Sequence, residues 1–246
     1  MGPVERYGEV LSEKLSQVLA KNSKSFSESA AEIYKSLSSG GVWHLFGTGH
    51  SSMVVQEAFH RAGGLIPVNP WLEEYLMPQA GPSRNGPLEK LSGLAQVIFD
   101  FYRPKEGEVL TLISNSGINP TVVEMAEIAR LKNLKTMAIT NLEHSKSCQS
   151  RHAKSKKLFE VCDYVLDTGG VKGDAVIQIP HLDVPVGPLS TILGSFIINS
   201  LAISVCESFS KNGGVAPVYL SSNVPEGQKR NRTLEIKYLD QIPRLR

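Results

Sequence analysis

The spacing of hydrophobic and polar positions changes at Gly40-Gly41. Over residues 4–38, Tyr7, Val10, Leu11, Leu15, Val18 and Leu19 keep one apolar face at helical spacing, and Ala30, Ile33, Tyr34 and Leu37 extend it. The glycine pair ends that helix. Beyond it, short apolar runs alternate with helix-period runs. The runs predict strands at 42–46, 65–69, 109–113, 135–140 and 164–166, with a weaker one at 175–179. Helices are predicted at 52–62, 87–102, 120–132 and about 188–211. Pro67 inside the second run puts that strand near an edge, because proline cannot donate to a ladder.

Apolar strands separated by helices imply right-handed crossovers and a parallel sheet covered on both faces. The fold class is therefore α/β, with helices in layers either side of the sheet. Three segments follow: an N-terminal helical segment at 1–40 expected to make oligomer contacts, an α/β domain at 41–220, and a polar, basic tail at 221–246 around "GQKRNR". The tail is expected to be solvated.

Composition narrows the function. The 246 residues are 41% hydrophobic and 20% charged, with a net charge of +2 and no basic block, which argues against nucleic-acid binding. Three cysteines, Cys148, Cys162 and Cys206, form no metal spacing and no disulfide frame, as expected of a reducing compartment. The N-terminus has no apolar signal segment. The most apolar stretch, 192–205, is interrupted by Ser195, Asn199, Ser200 and Ser204, and reads as a buried helix rather than a membrane span. A cytoplasmic protein without a membrane partner is expected.

Ligands of open parallel sheets bind beyond the carboxyl ends of the strands. Three loops there share one chemistry. After the first strand comes Gly47-Thr48-Gly49-His50-Ser51-Ser52, and after the third comes "SNSGINPT", Ser114 to Thr121. Before the last helix comes "GPLST", Gly187 to Thr191, with Ser190 at the helix start. Each leads into a helix N-terminus, where free N–H groups and the helix dipole favour an anion. Asn119 and Pro120 suit the N-cap and N1 positions of the middle helix. The first loop lacks the third glycine of a dinucleotide fingerprint, which Ser52 replaces, and no G-K-[ST] is present. Dinucleotides and nucleoside triphosphates are therefore disfavoured, and no residue spacing suggests a metal or another cofactor.

"GTGHSS" followed by a helix, and "SNSG" followed by a helix, resemble the sugar isomerase (SIS) domain, a five-stranded parallel α/β/α sandwich that binds phosphosugars. The stretches "FGTGHSSMVVQEAFHRAGGLIPVNPWLE", "SNSGINPTVVEMA", "SRHAKSKKL" and "VGPLSTILGSFIINS" extend the likeness over most of the chain, to a phosphoheptose isomerase-like branch. The resemblance implies that Ser114, Asn115, Ser116 and Gly117 match the S-[QN]-S-G core that holds the phosphate. Ser51 and Ser52 match the serines of the first loop. Asn119 stands where the family's second loop ends in Thr. The family also implies a homodimer or homotetramer.

Aldose–ketose isomerisation needs a base to carry a proton between C1 and C2, and a group to polarise the carbonyl oxygen. Phosphoheptose-isomerase-type members carry a catalytic Glu on the helix after the first loop. That position falls here at His60 or Arg61, which leaves Glu57, one turn earlier, and Glu73, after the second strand, as candidate bases. His60 and His152 are candidate acids, and His50 a candidate ligand contact. The expected function is phosphosugar binding with isomerisation. The alternatives are a non-catalytic phosphosugar sensor and a lyase or etherase acting on an amino-sugar phosphate.

Overall fold

The computed structural model describes residues 2–246. The first predicted helix is α1 (Pro3–Ser38), which opens on proline and buries Val18, Phe26, Ala30, Ile33 and Leu37 along one face. Five strands follow, four at the predicted runs and the second displaced from 65–69 by three residues at its start: β1 (Trp43–Gly47), β2 (Val68–Trp71), β3 (Val109–Ile113), β4 (Lys135–Thr140) and β5 (Tyr164–Asp167). They form one parallel sheet in the order β2-β1-β3-β4-β5. β2 is an edge strand, as Pro67 implies, and even admits Pro70. A two-stranded antiparallel ribbon, β6 (Ala175–Ile177) with β7 (Val186–Pro188), lies outside the sheet.

Alternate side chains on each strand enter different layers. Trp43, Leu45, Val109, Ile113, Met137 and Leu166 join one core with α1, α2 (Ser51–Ala58) and α8 (Ser190–Lys211). Phe46, Leu110, Leu112 and Ala138 join the other with α4 (Leu94–Tyr102), α5 (Pro120–Leu131) and α7 (Leu158–Val161). The fold is thus a three-layer α/β/α sandwich around a five-stranded parallel sheet. α2 leaves β1 for one face and α5 leaves β3 for the other, which opens a crevice between those neighbouring strands, the switch point of this strand order.

Besides the displaced β2, the structure departs from the sequence reading in four places. The run at 87–102 is two helices, α3 (Pro82–Leu88) and α4, because Gly93 takes a left-handed φ of 86° that breaks the turn between them. α2 stops at Ala58, since Phe59 is extended and His60 has φ 49°. A short helix at Leu142–Ser147 (α6) joins β4 to the loop before α7. The tail is folded, with α9 at Gly227–Glu235. Asn231 both accepts from the Leu220 amide and donates to its carbonyl, at 3.0 and 2.7 Å, and Ile242 and Leu245 pack on Val42.

α8 is long and apolar enough to cross a bilayer by length and composition. Here it packs on α1 and α2 through Leu193, Ile197, Ile198, Leu201 and Val205, while Ile203 stays 69% exposed. The second layer carries a buried polar chain. Trp71 Nε1, which can only donate, points at His44 Nδ1 over 3.2 Å. His44 Nε2 must then carry the proton it shares with Glu108 Oε2 at 2.8 Å. Burial alone would raise the Glu108 pKa. The bond from His44, together with those from the Lys105 and Val42 amides, holds it below the ordinary value.

Candidate functional site

Two glycines let the loops meet. A Cβ on Gly47 would lie 2.9 Å from the Ser51 carbonyl oxygen and 3.1 Å from that of Ile113, so only glycine lets the start of α2 close on the end of β3. Gly117 has φ 61°, and a Cβ there would meet Thr140 Oγ1 at 3.1 Å and Leu158 Cβ at 3.2 Å. The Gly117 amide donates to Ser114 Oγ at 3.1 Å, which curls the loop into a turn ahead of α5.

The result is a cleft of about 710 Å³ at the carboxyl ends of β1 and β3. It is lined by Gly49, His50, Ser51, Ser114, Asn115, Ser116, Asn119 and Ser190, all expected from the sequence. Three others stand behind this lining. Gly47 and Gly117 shape the backbone, and Ser52 is fully buried with its hydroxyl donating to the Gly49 carbonyl at 2.7 Å. Asn119 does not cap α5 with its side chain; its Oδ1 accepts from Arg151 Nη1 at 2.7 Å.

The cleft also holds Thr48, Asn85, Glu89, His144, Asp174 and Thr191. Glu89, just past α3, accepts from Thr48 Oγ1 at 3.0 Å. His144, on α6, takes the Gly173 amide on its Nδ1 at 3.4 Å, so the neutral ring presents Nε2–H as a donor. Asp174 accepts from the Ser190 amide at 2.8 Å, the Ser190 hydroxyl at 2.7 Å and the Leu189 amide at 3.2 Å. The anion at the start of α8 is therefore the protein's own carboxylate. The starts of α2 and α5 lie beside the serine loops without side-chain caps. No lysine or arginine lines the cleft among the described residues, so an anion there meets hydroxyls, amides and helix dipoles. Asn115 Oδ1 and the buried Thr168 Oγ1 lack any protein partner and flank a narrow extension of the cleft between Ile113 and Ile139.

The four expected acid/base residues do not line this cleft. Glu57 turns toward α8, where its Oε1 accepts from Asn199 Nδ2 at 3.0 Å and pairs with Arg61. Glu73 faces a separate hollow with Tyr75, Tyr102 and Arg244. Burial, then the charge and hydrogen bond of Glu73, pushes Tyr75 up to about 12 and raises Tyr102 as well. His60, beyond the end of α2, pairs with Glu235 at 3.6 Å and meets the edge of Tyr219. His152 is buried, with Nε2 3.5 Å from Glu127. The loop that carries Glu89 follows no strand directly, which hid it from a reading based on strand ends.

The SIS domain family model matches residues 6–141, a span that holds both serine loops. A "UPF0309 protein" of Geobacillus thermodenitrificans is 37% identical over 240 residues, covering 98% of this chain and 96% of that protein. The Listeria innocua "UPF0309 protein lin2794" is 35% identical over 242 residues, covering 98% of each. Among solved structures, a phosphoheptose isomerase from Francisella tularensis superposes with a TM-score of 0.53 at 17% identity, over 83% of this chain and 96% of the other. The phosphoheptose isomerase GmhA of Neisseria gonorrhoeae gives 0.54 at 16% identity, over 82% and 96%. Serine loops, strand order, family match and full-length relatives agree: the chain belongs to the SIS-domain family and, within it, stands among the UPF0309 proteins.

Proposed function

We propose that the chain binds a sugar monophosphate in the cleft between β1 and β3 and interconverts its aldose and ketose forms. The phosphate would sit against the hydroxyls of Ser51, Ser114 and Ser116 and the starts of α2 and α5, where neutral donors and helix dipoles suit a dianion. Glu89 would be the base that moves the proton between C2 and C1, and His144 Nε2–H would donate to the carbonyl oxygen as charge grows on it. Glu57 and Glu73, the carboxylates expected from the sequence, give way to Glu89 in this reading because their partners lie outside the cleft. The observation that carries it is the Glu89 carboxylate, held by Thr48 in the same cleft as the hydroxyls and helix starts of the serine loops, while the cleft's other carboxylate, Asp174, is tied up at the start of α8. Assembly as a homodimer or homotetramer and a cytoplasmic location belong to the same reading.

The test is a thermal-shift screen against sugar phosphates, followed by proton NMR of each hit in deuterated water. Deuterium entering at C1 or C2 supports isomerisation. A sugar phosphate that stabilises the protein and takes up no deuterium, even at high enzyme concentration, transfers the assignment to a phosphosugar sensor.

A further inference from the structure

A second large concavity lies away from the cleft and shares no lining residue with it. It measures about 790 Å³ and sits between the C-terminal ends of α1 and α8 and the helix α9. That size is within the range of small-molecule sites, roughly 300–1,000 Å³. Its floor is apolar, built from Leu37, Phe209, Ala216, Pro217 and Leu234. Phe209 is fixed by an edge contact with Tyr34, their rings 4.9 Å apart. The lip is basic: Lys229, Arg230 and Lys237 stand there against one acid, Glu226.

Apolar depth under a positive lip is complementary to a molecule with a hydrocarbon body and an anionic head. The lysine stems add apolar surface while their ammonium groups stay at the rim. Arg230 is partly committed, since its Nη1 donates to the Val218 carbonyl at 2.6 Å, which leaves Lys229 and Lys237 as the mobile charges. A second copy of the chain is a poorer occupant. A two-fold contact centred on this groove would set each basic lip against its own like-charged mate.

We propose that this groove is a second ligand site, for an amphipathic anion such as a medium-chain carboxylate, with the chain laid on Phe209 and Leu234 and the head group at Lys229 and Lys237.

The test is calorimetric titration with dodecanoate below its micelle concentration, with dodecyltrimethylammonium as the head-group control. The expected result is saturable one-site binding of dodecanoate, with the cationic control at least tenfold weaker. Lys229→Glu with Lys237→Glu should weaken dodecanoate at least tenfold and leave unliganded melting unchanged, since both side chains are exposed. Thr233→Trp, which puts an indole into the groove, should have the same effect. Absent binding, equal binding of both surfactants, or binding indifferent to the double charge reversal would each overturn the proposal. So would a wild-type dimer that Thr233→Trp converts to monomer, because the groove would then belong to a second copy.

Discussion

Thr48 Oγ1 donates to Glu89 Oε2 over 3.0 Å, tying the loop after β1 to the break between α3 and α4. The bond holds one carboxylate oxygen, and in the proposed mechanism the other serves the ligand. Glu89→Gln keeps the shape and removes the base. Turnover of the responsive sugar phosphate should fall by about 10²–10⁴-fold, the usual contribution of a positioned general base. The ligand's thermal shift should persist. Steady-state rates together with melting curves check this, and wild-type turnover in the variant would remove Glu89 from the mechanism.

Gly117→Ala should damage both stability and binding. Its φ of 61° strains any residue with a Cβ, and the new atom would press on Thr140 and Leu158. A loss of about 1–3 kcal/mol is expected from the backbone conformation alone. Urea unfolding gives the first quantity and phosphosugar titration the second. An alanine variant with unchanged midpoint and affinity would show that the turn has no role in the cradle.

Much of this architecture is legible in the chain because the strands at the centre of the sheet, β1 and β3, are buried along their whole length and β4 along all but its first residue. β3 (VLTLI) and β4 (KTMAIT) read as apolar-rich runs interrupted only by threonines and the leading Lys135, and their predicted limits, 109–113 and 135–140, coincide with the observed ones. The serine loops are legible because Gly47 and Gly117 serve backbone geometry, which composition reports directly. Glu89 and Asp174 are not, for different reasons. Glu89 lies in a run whose apolar spacing reads as continuous helix until Gly93 turns left-handed. Asp174 reaches the start of α8 only through the β6–β7 ribbon, which returns the chain upon itself. The tail misleads because three apolar residues decide its packing, Ile242, Leu245 and the Val42 they cover, while the charged residues around them dominate its composition.

The His44–Glu108 pair sets an acid limit on stability. Glu108 has a folded pKa lowered from its ordinary value of 4.5. A depressed carboxylate stabilises the fold above the unfolded value, and that contribution is lost as pH falls from 4.5 through the lower folded value. The melting temperature should therefore fall more steeply with acid in the wild type than in Glu108→Gln. Parallel melting profiles across that interval would show that Glu108 does not carry the titration.

α8 carries apolar side chains outside its intrachain contacts. Ile192 is 42% exposed and Ile203 69%, and Leu19 of the neighbouring α1 is 52% exposed. Self-association through this strip is expected. Ile203→Lys should shift the chain toward monomer in light scattering at micromolar concentration, with melting nearly unchanged. A wild-type protein that is already monomeric would refute the expectation.

Asp174 fills the start of α8 with a carboxylate bonded to two amides and a hydroxyl. A ligand extending from the serine loops toward that helix meets a fixed negative charge where an open helix end would have welcomed a second phosphate. The far wall of the cleft is thus suited to hydroxyls and set against anions. Under the proposed function a sugar esterified at one end suits this polarity, and its bisphosphate is expected to bind more weakly.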